Sequence, residues 1–188
     1  MDIVFFGIQG SGKGTQAKRL AKEFGYDIFE AGGELRAIAA SGSPLGKTVQ
    51  SYIDQGHLVP HEIIMQVVQA AIAKRSKNQK ILFDGIPRDS DQQKDFDAVM
   101  AKEGREFRCV EFLLDPEEAT KRILGRAKAE GRADDADLAI ISRRMATFAQ
   151  KTRPVIEKYA KAGKMASIPA DKGIDEVYVQ LTSLVRSW

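Results

Sequence analysis

Apolar residues along this chain fall into two patterns that take turns. "DIVFF" (2–6), "KILFD" (80–84) and "FRCVEFLLD" (107–115) are short, nearly continuous apolar runs, as expected of strands covered on both faces in a parallel sheet. "YDIFE" (26–30) and "KMASI" (164–168) are weaker versions of the same pattern. Between them the period becomes helical. Ala17, Leu20, Ala21 and Phe24 share one face, as do Ile64, Val67, Val68 and Ala71, and again Leu138, Ile141, Met145 and Phe148. Strand and helix alternate, which predicts an α/β fold of three layers: a central parallel five-stranded sheet with helices on both faces. In such a fold the ligand crevice lies at the carboxyl ends of the strands.

Two stretches interrupt the alternation. Residues 31–59 read as a small helical insertion with its own punctuation, "SGSPLGK" placing Pro44 at a helix start and "DQGHLVP" closing it. Residues 125–137, "GRAKAEGRADDAD", are polar, glycine-punctuated and almost free of large apolar side chains. Such a stretch cannot anchor itself in a core, so it is expected to form a flap over the crevice. "DDAD" (134–137) suits a helix start, its acids facing the positive end of the dipole. Pro154, after "KTR", is expected to break that helix and begin another.

Composition narrows the class. At 188 residues and 43% hydrophobic content the chain fits one domain, and roughly 70% of its unfolded surface can be buried without a disulfide or structural metal. Its 29 basic and 26 acidic residues, a net charge of +3, are too balanced for a polycation, and the basic residues are not interleaved with aromatics. Nucleic acid is therefore not an expected partner. The one cysteine, Cys109, excludes an internal disulfide and any multi-cysteine zinc site, and its apolar setting predicts a buried thiol. Met1 is followed at once by Asp2 and a short apolar run, without a basic leader or a span of ~20 apolar residues. No membrane partner and a cytoplasmic location are expected, and no segment outside the core pattern is apolar enough to demand a dimer, so a monomer is expected.

"GIQGSGKGT" (7–15) nearly matches the P-loop pattern G-x-x-x-x-G-K-S/T, with the hydroxyl one residue late at Thr15. Glycines there let successive backbone N–H groups turn inward as an anion nest. Lys13 adds a point charge, and the following helix aims its positive end at the same spot. Asp84, at the end of an apolar run, faces the crevice and can hold Mg2+, through water. Arg88, four residues on, projects into the same place. Arg36 sits on the insertion, Arg122, Arg126 and Arg132 at or before the flap, and Arg143 and Arg144 on the next helix. Guanidinium forks that converge on one point neutralise phosphoryl groups in transfer. His57 and His61 have no paired carboxylate or second metal ligand at a telling spacing.

Taken together, "GIQGSGKGTQ" (7–16), "GELR" (33–36), "GHLVP" (56–60), "DGIPRDSDQ" (84–92) and "GRADD" (131–135) make the chain resemble the adenylate kinase family in its short-lid form, over almost its whole length. The resemblance implies a P-loop core (1–29, 60–124 and 138–188), a nucleoside-monophosphate-binding segment (30–59) and a short lid (125–137). It implies transfer of the terminal phosphate of Mg·ATP to AMP, giving ADP twice, with Mg2+ accompanying ATP. By motif, Gly10, Ser11, Gly12, Lys13, Gly14 and Thr15 would hold the ATP phosphates; Arg126 would reach ATP, and Arg122 and Lys172 would lie by its adenine. Arg36 and Arg88 would grip the AMP phosphate. His57, Leu58 and Val59, with Gly85, Ile86 and Pro87, would contact AMP through backbone, and Gln92 its base. Arg132 and a helix arginine, Arg143 or Arg144, would complete the clamp. Counted forward from "DD" that arginine is Arg143; counted back from Pro154 it is Arg144, which also fits the apolar pattern better.

Three departures mark this chain. It reads Ala31-Gly32-Gly33 where the family has Thr-Gly-Asp or similar, so a hydroxyl near the monophosphate base is missing. Alanine there is a feature of UMP/CMP kinases, which leaves that activity as the alternative, whereas Gln92 suits an adenine edge. Gln9 replaces a common proline in the loop, and the lid-to-helix spacing is one residue long. The lid is short and has no cysteine, so no zinc is expected. A binding module without turnover is a further reading, but it gives the lid arginines no task.

Overall fold

The structure, a computed structural model, describes residues 1–130 and 136–188, with side chains for all of these except 128–130. Strands β1 (Asp2–Gly7), β2 (Asp27–Glu30), β3 (Ile81–Asp84), β4 (Phe107–Leu113) and β5 (Met165–Pro169) coincide with the five apolar runs. They form one sheet in the order β2-β3-β1-β4-β5, every neighbouring pair parallel. Around them lie α1 (Lys13–Phe24), α2 (Ala31–Ala40), α3 (Pro44–Asp54), α4 (His61–Ala73), α5 (Ser90–Lys102), α6 (Pro116–Glu130), α7 (Leu138–Thr147), α8 (Arg153–Lys161) and α9 (Ile174–Arg186).

The continuous runs follow from burial on both faces. On one face Val4, Phe6, Phe83, Phe107 and Cys109 pack with Ile64 and Val68 of α4, Phe96 and Met100 of α5, and Val155 and Tyr159 of α8. Edge-to-face ring contacts run through that layer from Phe83 to Phe96, Phe107 and Tyr159. On the other face Ile3, Phe5, Leu82, Val110 and Phe112 meet Ala17 and Leu20 of α1 and Val177 and Leu181 of α9. This is the three-layer α/β architecture of a P-loop fold. Cys109 is fully buried, and that burial pushes its thiol far above the ordinary range.

The start of the sheet is fastened by charge. The carboxylate of Asp2 accepts the Ile81 backbone N–H at 2.8 Å and Arg105 Nε at 2.6 Å, and a second nitrogen of Arg105 reaches the Gln79 carbonyl. At the other end, the chain passes from one side of β1 to the other between β3 and β4, so the crevice opens beyond the carboxyl end of β1.

Two local expectations change. Asp137 caps α7, accepting the Ala139 and Ile140 backbone N–H groups, so the helix starts at Leu138 and leaves that leucine 62% exposed instead of in the core. The chain does not break before Pro154. It widens into a π-turn over Phe148–Thr152 and enters α8 with Pro154 in the first turn, where the missing N–H costs nothing. Of the stretch 125–137, residues 125–130 are the last turns of α6, and 131–135, Arg132 among them, lie outside the described residues.

Candidate functional site

The loop after β1 is built around backbone that only glycine adopts readily. Gly10 and Gly12 have φ of +86° and +85°, and a Cβ at Gly10 would stand 2.7 Å from the Ala119 carbonyl oxygen. The loop thus lies directly against α6 and delivers the chain into α1, whose first N–H groups have no acceptor within the helix. Lys13 folds across it, Nζ donating to the Gly7 carbonyl at 2.7 Å and the Ile8 carbonyl at 3.0 Å. Burial lowers the Lys13 ammonium to about 8, against the pull of the Asp84 carboxylate.

Asp84 ends β3 and is 8% exposed. Burial raises its carboxyl above the usual range, Glu30 adding to the shift and Lys13 and Arg88 opposing it. A Cβ at Gly14 would lie 3.8 Å from Asp84 Oδ2, so the carboxylate borders the phosphate loop. Among the described residues no three His, Cys, Asp or Glu side chains gather as a metal site. One carboxylate beside an anion nest suits a hard cation whose other ligands are water and phosphate oxygens, which is how Mg2+ is bound at nucleotide sites.

On the far wall, Arg88 donates through Nε to the Gly85 carbonyl at 2.7 Å, and its own carbonyl accepts the Thr152 hydroxyl at 2.8 Å. Asp89 caps α5, and Gln92 turns its Oε1 back to the Arg88 N–H at 2.8 Å. The Arg88 guanidinium is electrostatically coupled to Asp84, Glu30, Arg36 and Arg144. Arg122 is held between Glu118 and the Ala170 carbonyl, at 2.9 and 3.0 Å, which ties α6 to the loop that carries Lys172.

One cleft of about 650 Å3 gathers nearly all of the expected site residues. Its lining includes Gly10 to Thr15, Arg122, Arg126 and Lys172, together with Arg36, His57, Leu58, Val59, Gly85, Ile86, Pro87, Arg88, Gln92 and Arg144, and Asp84. Arg144 points at Gln9, 3.4 Å from its Oε1. Arg143 is not brought in: its guanidinium bonds the Gln55 carbonyl at the end of α3. A second cavity of about 540 Å3 lies beside β4 and β5, but its one arginine, Arg153, is committed to Glu111 and to the Phe148 ring.

Three cleft residues were not anticipated from the sequence. Gln16, 2% exposed, donates to the Ile174 carbonyl at 2.9 Å and so fastens the loop that carries Lys172. Thr152 braces Arg88, and Glu30 pairs with Arg36 at 2.8 Å. The sequence offered a signal for two of them: Gln16 closes the loop motif 7–16, and Glu30 stands one residue before the departure at Ala31.

Sequence comparison places this geometry. A family described as "Adenylate kinase" matches residues 5–164. The chain is similar to the adenylate kinase of Phocaeicola vulgatus, 34% identical over 187 residues, which is 99% of this chain and 98% of that one. It is similar also to that of Thermus thermophilus, 35% over 180 residues (95% and 94%), and to that of Stenotrophomonas maltophilia, 34% over 187 residues (99% and 100%). A matching family pattern over most of the chain, and relatives aligned along nearly their full lengths, establish that this chain belongs to the adenylate kinase family of phosphotransferases.

Proposed function

We propose that the protein transfers the terminal phosphate of Mg·ATP to AMP, reversibly giving ADP twice. One observation carries the reading: within a single cleft a phosphate loop with Lys13 faces arginines supplied by α2, the β3–α5 loop, α6 and α7. Separate binding of two nucleotides would not require that convergence. An anionic chain joining them does.

The chemistry needs no general base. The acceptor is a phosphate oxygen already ionised at neutral pH, so positioning and charge stabilisation carry the rate, and a transition-state arginine is worth ~10³ to 10⁵. In this reading Gly10 to Thr15 and Lys13 hold the donor phosphates, and Arg126 approaches from α6. Arg122 and Lys172 flank the donor base. Arg36 and Arg88 hold the acceptor phosphate, and Arg144 serves the transferring group, since it faces the cleft and Arg143 does not. By motif Arg132 would join them, a residue outside the described ones. Asp84, through water, would hold the Mg2+ that accompanies ATP, whose chemistry is to neutralise the phosphate oxygens.

The segment 30–59 is the moving part of this reading among the described residues, closing over the cleft to exclude water, which would otherwise accept the phosphate. The acceptor base is adenine. Gln92 Oε1 accepts the Arg88 N–H, which fixes the side chain with its amide nitrogen free to donate to an adenine ring nitrogen, the base contact that the family resemblance gives it. A cytoplasmic monomer with neither nucleic acid nor membrane as partner goes with this reading, on the sequence alone. Among the described residues no helix is long and apolar enough to cross a membrane.

A coupled assay offering AMP, CMP, UMP and GMP in turn to the protein with Mg·ATP is the test. Turnover should be fastest with AMP by at least an order of magnitude; turnover with CMP and little with AMP would replace this reading by the UMP/CMP one.

A further inference from the structure

Glu30 is the last residue of β2 and the register partner of Asp84 on β3, so the sheet sets two acidic residues side by side at the edge of the cleft. Asp84 is countered by Lys13 and Arg88. Glu30 instead holds Arg36, its Oε1 2.8 Å from Nη2, with the two side chains 46% and 39% exposed. The backbone runs close to that pair: a Cβ at Gly32 would stand 3.1 Å from Arg36 Nη1, a tight approach, whereas one at Gly33 would be in ordinary contact with the Glu30 carboxylate at 3.5 Å. The pair thus forms directly beside the run Ala31-Gly32-Gly33, with Gly32 against the guanidinium. Glu30 also acts electrostatically on Arg88, the second arginine assigned to the acceptor phosphate.

A phosphate that approaches Arg36 and Arg88 meets a carboxylate of its own sign. It must take Arg36 from Glu30 or share it. We propose that Glu30 is a charge gate on the monophosphate pocket, a residue that holds Arg36 as its internal counter-ion and sets acceptor affinity by competing with the incoming phosphate. This rests on the assignment of that side of the cleft to AMP. The carboxylate acts on the phosphate end of the acceptor, not on its sugar or base, and a half-exposed pair of this kind shifts an equilibrium by about two- to fivefold.

Glu30→Gln removes the charge and keeps the size. In calorimetric titration the variant should bind AMP about two- to fivefold more tightly than the parent, and the gain should shrink as added salt screens the pair. KM for AMP should fall in step while KM for ATP stays. Adenosine, which has no phosphate, should inhibit both proteins equally, and Glu30→Asp should keep AMP affinity near that of the parent. Unchanged or weaker AMP binding by the glutamine variant overturns the gate, as does an equal gain for adenosine. If the parent turns over AMP normally while Glu30→Gln changes nothing, the gate alone fails; a parent inactive toward AMP overturns the functional assignment as well.

Discussion

Lys13 is pulled in two directions at once. Its charge is what a triphosphate needs, yet burial beneath the loop lowers the ammonium to about 8, with only Asp84 opposing the shift strongly. The value of kcat/KM for ATP reports the free protein, so it should fall as pH rises through about 8, when Lys13 loses its proton. Nucleotide phosphates, whose second ionisation lies near about 6, are fully charged there, so the inflection belongs to the protein. At saturating ATP the bound phosphates hold the proton on Lys13, and kcat should stay flat across the same range. Stability moves the opposite way. The folded pKa is below the unfolded 10.5, so between about 8 and 10.5 the unfolded chain binds more protons, and the unliganded protein gains stability as pH rises through that window. A pH profile of kcat/KM without an inflection near 8 would show that burial does not lower the Lys13 ammonium in the free protein as far as the fold implies. At this scale local motifs were legible: the loop, Asp84 and the arginines announce themselves by sequence spacing. The roles of Gln16 and Thr152 did not, because each side chain acts on a partner distant in sequence, Ile174 and Arg88, brought near only by tertiary packing; Glu30 and Arg36 are only six residues apart, but nothing in their spacing names them as a pair.

Among the elements, β1, β3 and β4 could be read from the sequence because both faces of a central parallel sheet are buried, which leaves continuous apolar runs, while the edge strands β2 and β5, only partly buried, leave weaker ones. Their order could not be read, since a run records that it is covered and not by what. The same holds for Asp2, which looks like an acid ahead of a strand. In the fold its carboxylate and the Arg105 guanidinium, 3% and 7% exposed, join the starts of β1 and β3 to the loop before β4. Removing one partner of such a pair leaves a buried charge uncompensated, at a cost of about 3–5 kcal/mol. Asp2→Ala should therefore move the urea midpoint down sharply with little change in m-value. Asp2→Ala combined with Arg105→Met should recover much of the loss, because no charge is then stranded. A single variant as stable as the parent would mean that the strands hold one another without this lock. The π-turn before α8 was hidden for a related reason. Proline announces a missing N–H, but whether the helix stops or widens around it depends on the packing of Thr152 and Val155, both buried beside the cleft and the core.

For the molecule as a whole, the consequence of placing both walls of charge in one 650 Å3 cleft is that a single ligand can engage them together. Two adenosines joined by five phosphates should bind as one molecule, far more tightly than ATP or AMP does alone, because the second contact forms without a second loss of translational freedom. At about 1,000 times its Kd such a ligand stabilises the fold by about 4 kcal/mol. For a chain of this size that raises Tm on the order of 10 °C. The two walls can then be separated by mutation. Arg36→Ala should weaken the bridged ligand and AMP while sparing ATP, and Arg126→Ala should weaken the bridged ligand and ATP while sparing AMP. If the bridged molecule binds no more tightly than ATP, the two walls do not face a common anionic chain. The convergence of arginines on the cleft would then have to be explained by something other than phosphoryl transfer between two nucleotides.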